Sequence, residues 1–141
     1  MSLANKDRRF RWTALLFLAA AVSLTAGILK QLDGCPCARE LFWLGYVGAA
    51  YYGTLAATAW HCGPTEWLQA ALIVAGGVHA ALVQYMVVAT PAVCPACLAS
   101  AGLSALMVAL CLRERPINLV RGAFLFPASL LAAQLALPFN A

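Results

Sequence analysis

Charge is scarce in this chain. Only 10% of its 141 residues are Asp, Glu, Lys or Arg, against about 25% in an average soluble domain. A surface wetted on every side cannot be built from so few, and a mean hydropathy of +0.84 points the same way. Polar low-complexity tracts are missing, which excludes a disordered chain, and no internal repeat marks a solenoid or a fibre. Segments of alternating polarity are missing too, which excludes a membrane β-barrel. A net charge of +4 spread over separate segments does not recommend a nucleic-acid partner. Six cysteines are present, but not the polar, loop-rich composition of a secreted disulfide scaffold. What remains is an all-α membrane protein, a single transmembrane domain over residues 1–141.

The charges fall in four short segments, 6–11, 30–40, Glu66 and 113–121. Between them run apolar stretches that predict helices over about 12–29, 41–60, 67–90, 94–112 and 122–137. A spanning helix needs about 20 apolar residues. The first four stretches meet that length; the fifth is short and holds Pro127 and Gln134. The expectation is an integral membrane four-helix bundle with a fifth, shorter transmembrane helix. The basic start imitates a signal peptide, but no small-residue cleavage site follows it, so the first helix is read as retained.

Lys and Arg set the direction. With the N-terminus in the cytoplasm, Lys6, Arg8, Arg9, Arg11, Arg113, Arg115 and Arg121 lie inside, and only Lys30 and Arg39 lie outside. Trp12, Trp60 and Trp67 then fall at the inner interface as an aromatic belt. Gly45, Gly48, Gly53, Gly76, Gly77 and Gly102 read as close helix contacts. This orientation suits a multi-pass protein of the cell's inner (plasma) membrane.

Cysteine usage divides along the same axis. Cys35-Pro36-Cys37 follows the first helix and Cys94-Pro95-Ala96-Cys97 opens the fourth, so both pairs lie on the non-cytoplasmic, oxidising face. Cys62 and Cys111 lie on the other side and read as reduced and inert. Pro95 fits the first turn of a helix, where its missing N–H costs nothing. Cys94 then sits at a helix N-terminus, where unpaired N–H groups favour a thiolate. Cys97, three residues on, faces roughly the same way and lies about 4.5 Å deeper. One thiol would meet water and the other the bilayer, an arrangement able to pass two electrons from an aqueous dithiol to a lipid-soluble acceptor. A structural disulfide, half of a metal site and two inert thiols are the alternatives. The tight Cys35/Cys37 pair, if strained, is readily reducible and suits a shuttle.

The stretch Val93-Cys94-Pro95-Ala96-Cys97-Leu98-Ala99-Ser100-Ala101, opening an apolar helix, resembles the fourth helix of the vitamin K epoxide reductase family. Gly34 to Tyr52, with its cysteine-bearing loop, Leu41 and Gly45-Tyr46-Val47-Gly48, shows a weaker likeness. Together they cover roughly residues 12–112. The resemblance implies four helices around a quinone, ubiquinone or menaquinone, near the outer surface. By position Cys97 would react with the quinone and Cys94 would relay electrons. Cys37 would exchange with Cys94, and Cys35 would accept electrons from an external thioredoxin-like protein. The chain looks like a short bacterial-type homologue without a fused thioredoxin-like domain, so that dithiol partner would be a separate protein. Its loop cysteines are closer together than the family's, and Leu41 follows too soon for the family's covering half-helix.

Within the third span, Gln84 and Tyr85 lie at the depth where a quinone carbonyl would want a hydrogen-bond donor, with an interhelical bond as the alternative. His79 lies deeper and reads as structural, and Tyr51 and Tyr52 read as packing. A second class of function stays open: a soft-metal-binding or metal-transporting membrane protein using the CPC and CPAC thiolates.

Overall fold

A computed structural model of the chain describes residues 2–32, 41–89, 93–114 and 119–137. Within them the chain is all-α, with no strand. The helices are α1 (Leu3–Gln31), α2 (Phe42–Cys62), α3 (Glu66–Ala89), α4 (Pro95–Glu114) and α5 (Leu119–Ala136). α1 begins well before the apolar run at Trp12. Lys and Arg are good helix formers, so the charged segment continues the helix rather than ending it.

α1, α3 and α4 are long and apolar enough to cross a membrane. α2 is free of Asp, Glu, Lys and Arg, but its three glycines, three tyrosines and His61 dilute its hydropathy. α5 has only 18 residues and carries Arg121, Pro127 and Gln134. Large apolar side chains nevertheless point outward all round: Phe17, Trp43, Val47, Val88, Leu106, Phe124 and Leu135 are exposed. A water-soluble monomer rarely leaves that much apolar surface open.

Side-chain pairs give the arrangement. Ser23 meets Ser100 while Trp12 meets Glu114, so α1 and α4 are antiparallel. Arg9 donates to the His61 carbonyl while Gly27 lies against Gly45, so α1 and α2 are antiparallel as well. α3 pairs with α4 through His79 and Ser100. α5 runs parallel to α3 along its outer side, with Arg121 on Glu66 and Gln134 donating to Gln84. The neighbours are therefore α2–α1–α4–α3–α5, and α2 and α3 lack a comparably close approach. A hydrogen bond from Tyr51 Oη to the Ala71 carbonyl, 2.7 Å, spans that gap.

All the described charges except Lys30 gather at one end. Glu114 there meets Arg8 at 3.6 Å and Arg11 at 3.9 Å, and Arg121 meets Glu66 at 3.3 Å. Trp12 does not join an interfacial belt. It is 2% exposed, because its face of α1 turns to α4, and its Nε1 donates to Glu114 Oε2 at 3.0 Å. Trp60 and Trp67 are exposed. Above Trp12 the interior is filled by Leu16, Tyr52, Ala56, Leu72 and Met107.

Candidate functional site

The end opposite the arginines holds Cys94 and Cys97. α4 opens on Pro95, and the Leu98 N–H donates to the Cys94 carbonyl at 3.0 Å. Cys94 is therefore the residue that caps the first turn, and proline occupies the one position where its lack of an N–H is harmless. This is the local geometry expected from the Cys-Pro-Ala-Cys spacing. The environment differs in one respect: Cys94 does not meet water. It is 1% exposed and packs with Val83, Met86, Ala96 and Cys97. Cys97 is half-buried; both are free thiols within hydrogen-bonding reach of each other, and Lys30 lies within reach of Cys97.

Cys97 is part of the wall of a partly open cavity of about 220 Å3 bordered by α1, α2, α3 and α4. The walls are nearly all apolar, supplied by residues such as Leu44, Val47, Val78, Leu82 and Met86. Glycine makes the space. Gly27 and Gly45 bring α1 and α2 into backbone contact, and a Cβ at Gly45 would collide with Gly27 and lie 2.6 Å from the Ser23 carbonyl. Both glycines line the cavity. It is smaller than the roughly 300–1,000 Å3 pockets that hold drug-sized ligands. That volume admits a small ring system rather than a whole drug-sized molecule.

The polar groups in this apolar wall are few and convergent. Lys30 is only 7% exposed and contributes an ammonium at the Cys97 end. One turn inward, Ser100 meets Ser23 at 3.3 Å and His79 Nε2 at 3.0 Å, tying α4 to α1 and α3. His79 Nδ1 lies 2.9 Å from the Ala75 carbonyl. Tyr51, Tyr52 and Tyr85 complete the polar lining.

Set against the expected residues, this geometry keeps some and replaces others. Cys97 and Tyr85 both border the cavity, and Cys94 lies against Cys97 outside its wall. Gln84 faces α5, where Gln134 Nε2 donates to its Oε1 at 2.6 Å, and it is absent from the cavity wall. Five residues from His79, it lies on the opposite side of α3. His79, Tyr51 and Tyr52, read as structural, border the cavity instead, and Lys30, Ser23 and Ser100 join them. A signal existed for one row: Cys97, Ser100 and Ser104 stand at i, i+3 and i+7, one face of an otherwise apolar helix. Cys35 and Cys37 lie outside the described residues. Cys62 and Cys111 belong to the arginine end, Cys62 at the close of α2 and Cys111 in the last turns of α4. Among the described residues no three His, Cys, Asp or Glu side chains converge as a metal site would require.

No family model matches the chain, and neither does any curated protein or solved structure.

Proposed function

We propose that this chain is a membrane thiol–disulfide oxidoreductase of the vitamin K epoxide reductase type, passing electrons from external dithiols through paired cysteines to a quinone and so supporting disulfide formation. The observation that carries the reading is the placement of Cys97. This residue belongs at once to a CxxC pair opening a helix and to the wall of an apolar, ring-sized cavity. The resemblance of residues 93–101 to the family's fourth helix supports the same reading. In this reading α1 to α4 form the membrane bundle and α5 is a fifth span. The arginine end faces the cytoplasm and the cysteine end the outside of the inner (plasma) membrane, with the outward apolar side chains meeting lipid.

The residues fit a quinone, whether ubiquinone or menaquinone. Leu44, Val78, Leu82 and Met86 would flank its ring, and Lys30, Tyr85 and Ser100 are placed to address its oxygens. When bound, a quinone supplies a two-electron, two-proton sink. The chain's own part is thiol chemistry. Cys94 and Cys97 give up two electrons and two protons as their sulfurs join, and the apolar wall keeps water from the exchange. Restoring the dithiol requires an incoming thiolate at Cys94. Cys35 and Cys37 take that shuttle role by resemblance, fed by a separate thioredoxin-like protein. Because Cys94 is buried, its exchange requires that its sulfur first become accessible.

The test uses purified full-length protein in lipid nanodiscs, a reduced thioredoxin-like protein as donor and menadione or a short-chain ubiquinone as acceptor. Thiol oxidation is expected only with both protein and quinone present, and Cys97→Ala abolishes it. Turnover that survives Cys97→Ala, or that needs no quinone, overturns the reading.

A further inference from the structure

Thiol chemistry makes no use of three residues that border the cavity, Ser23, Ser100 and His79. Their hydrogen bonds have a readable direction. His79 Nδ1 lies 2.9 Å from the Ala75 carbonyl, which only accepts, so Nδ1 carries a proton and donates. In the neutral ring Nε2 is then an acceptor. Ser100 Oγ–H donates to it across 3.0 Å, and Ser23 Oγ–H donates to Ser100 across 3.3 Å. Every proton of the chain is then engaged, and only lone pairs are offered to the cavity. A second ring proton, on Nε2, reverses the order: Nε2–H donates to Ser100, and the Ser100 hydroxyl proton is released to point into the cavity. One state receives a hydroxyl, and the other donates to a carbonyl or oxyanion.

Position supports a use for this pair of states. Ser100 lies one turn, about 4.5 Å, inward of Cys97 on the same face of α4, and Ser23, His79 and Ser100 all border the cavity that Cys97 borders. The aromatic neighbour of His79 is Tyr52, its ring 6.2 Å away. The remaining ionisable groups of the wall are Tyr51, Tyr85, Lys30 and Cys97.

We propose that Ser100, supplied by His79, is the group that holds and protonates the inner oxygen of a quinone ring in this cavity. The proposal rests on the quinone-linked reading above. His79 Nε2 passes its proton to Ser100 Oγ as Ser100 passes its own to the ring oxygen. The chain is left in the state that accepts from the new hydroxyl. The electron pair comes from Cys94 and Cys97, whose two thiols release two protons as the S–S bond forms. One of those protons recharges His79, and the other enters at the Lys30 end of the cavity, at the second ring oxygen.

The experiment uses the full chain in nanodiscs with its thiols oxidised, so that no turnover occurs, and carbonyl-13C menadione as the probe. Infrared difference spectra read the C=O stretch, and fluorescence quenching reads Kd. In the wild type one carbonyl band moves to lower frequency. Ser100→Ala loses that movement and weakens Kd about 5-fold or more, while Ser100→Thr, which keeps the hydroxyl, retains both. Ser23→Ala removes only the bridge to α1 and leaves the band in place. His79→Gln keeps the hydrogen bonds but cannot carry the extra proton. It therefore fixes Ser100 in the state that offers only lone pairs: the band movement is lost and the menadione Kd weakens as in Ser100→Ala. With the thiols reduced, kcat falls about 100-fold, the scale of a lost general acid. If Ser100→Ala changes neither band nor Kd, or if Ser23→Ala matches it, the residues are only a bridge between helices and the proposal falls, with the cavity reading intact. If the wild-type protein does not bind menadione at all, the quinone-linked reading falls and takes this proposal with it.

Discussion

At the scale of single residues, Lys30 matters most for the thiols. Burying an ammonium among apolar side chains costs several kcal/mol unless a partner compensates it, yet the chain places Lys30 beside Cys97 in the last turn of α1. A cation at that place holds a sulfur anion by a charge-assisted contact, worth about 1.5–3 kcal/mol. Lys30→Met is therefore expected to slow alkylation of Cys97 by iodoacetamide about 10- to 100-fold. Lys30→Arg should keep most of the rate. Equal rates in wild type and Lys30→Met would remove Lys30 from the site. At this scale the sequence is only partly readable. Cys94, Pro95 and Cys97 announce their geometry, because a proline after a cysteine at the start of an apolar run fixes which residue caps the helix. Ser23, Ser100 and His79 do not, because their meaning lies in pairings between helices that are far apart in the chain. Gln84 departs from its expected place for the same reason: depth along α3 follows from counting residues, but the side of α3 that meets α5 does not.

At the scale of elements, the contact between α1 and α2 shapes the cavity. A methyl group on Gly45 would meet the backbone of Gly27 and the Ser23 carbonyl, which cannot rotate away as a side chain can. Gly45→Ala should force the two helices apart and cost about 1–3 kcal/mol, the range of an overpacked contact. Gly53, on the same helix, has open space where its Cβ would be. Gly53→Ala should be neutral or stabilising by up to about 1 kcal/mol, since alanine is the better helix former. Thermal unfolding in detergent with an internal fluorescence reporter separates the two. Equal shifts would show that α1 and α2 do not meet through Gly27 and Gly45. Hydropathy marks where each apolar run lies but not where its helix ends. α1 therefore reaches back to Leu3, and the glycine and tyrosine content of α2 lowers its hydropathy without a single charge interrupting it.

At the scale of the whole molecule, the fold sorts its polar chemistry by end. Arg8, Arg9, Arg11 and Arg121 lie with Glu66 and Glu114 at one pole, while Lys30, Cys94 and Cys97 lie at the other. Moving either set through the bilayer core would cost about 2.5–3.5 kcal/mol per charge on insertion scales, so the chain has two poles and one of them must face the cytoplasm. In the proposed reading the arginine bias turns that pole to the cytoplasm, and the consequence can be measured. Cys62 is exposed at the arginine pole, and Leu32, 73% exposed, follows the last turn of α1 at the opposite pole. In intact spheroplasts a membrane-impermeant maleimide should leave Cys62 unlabelled until the membrane is permeabilised. A cysteine introduced as Leu32→Cys, in a chain carrying Cys35→Ser, Cys37→Ser and Cys62→Ser, should label at once. Thiols at the outer pole meet an oxidising compartment and at the inner pole a reducing one, so the same experiment decides which way the dithiol chemistry can run. Labelling of Cys62 from outside would place Cys94 and Cys97 in the cytoplasm, where an external thiol donor could not reach them, and an oxidase feeding disulfides to exported proteins would be ruled out.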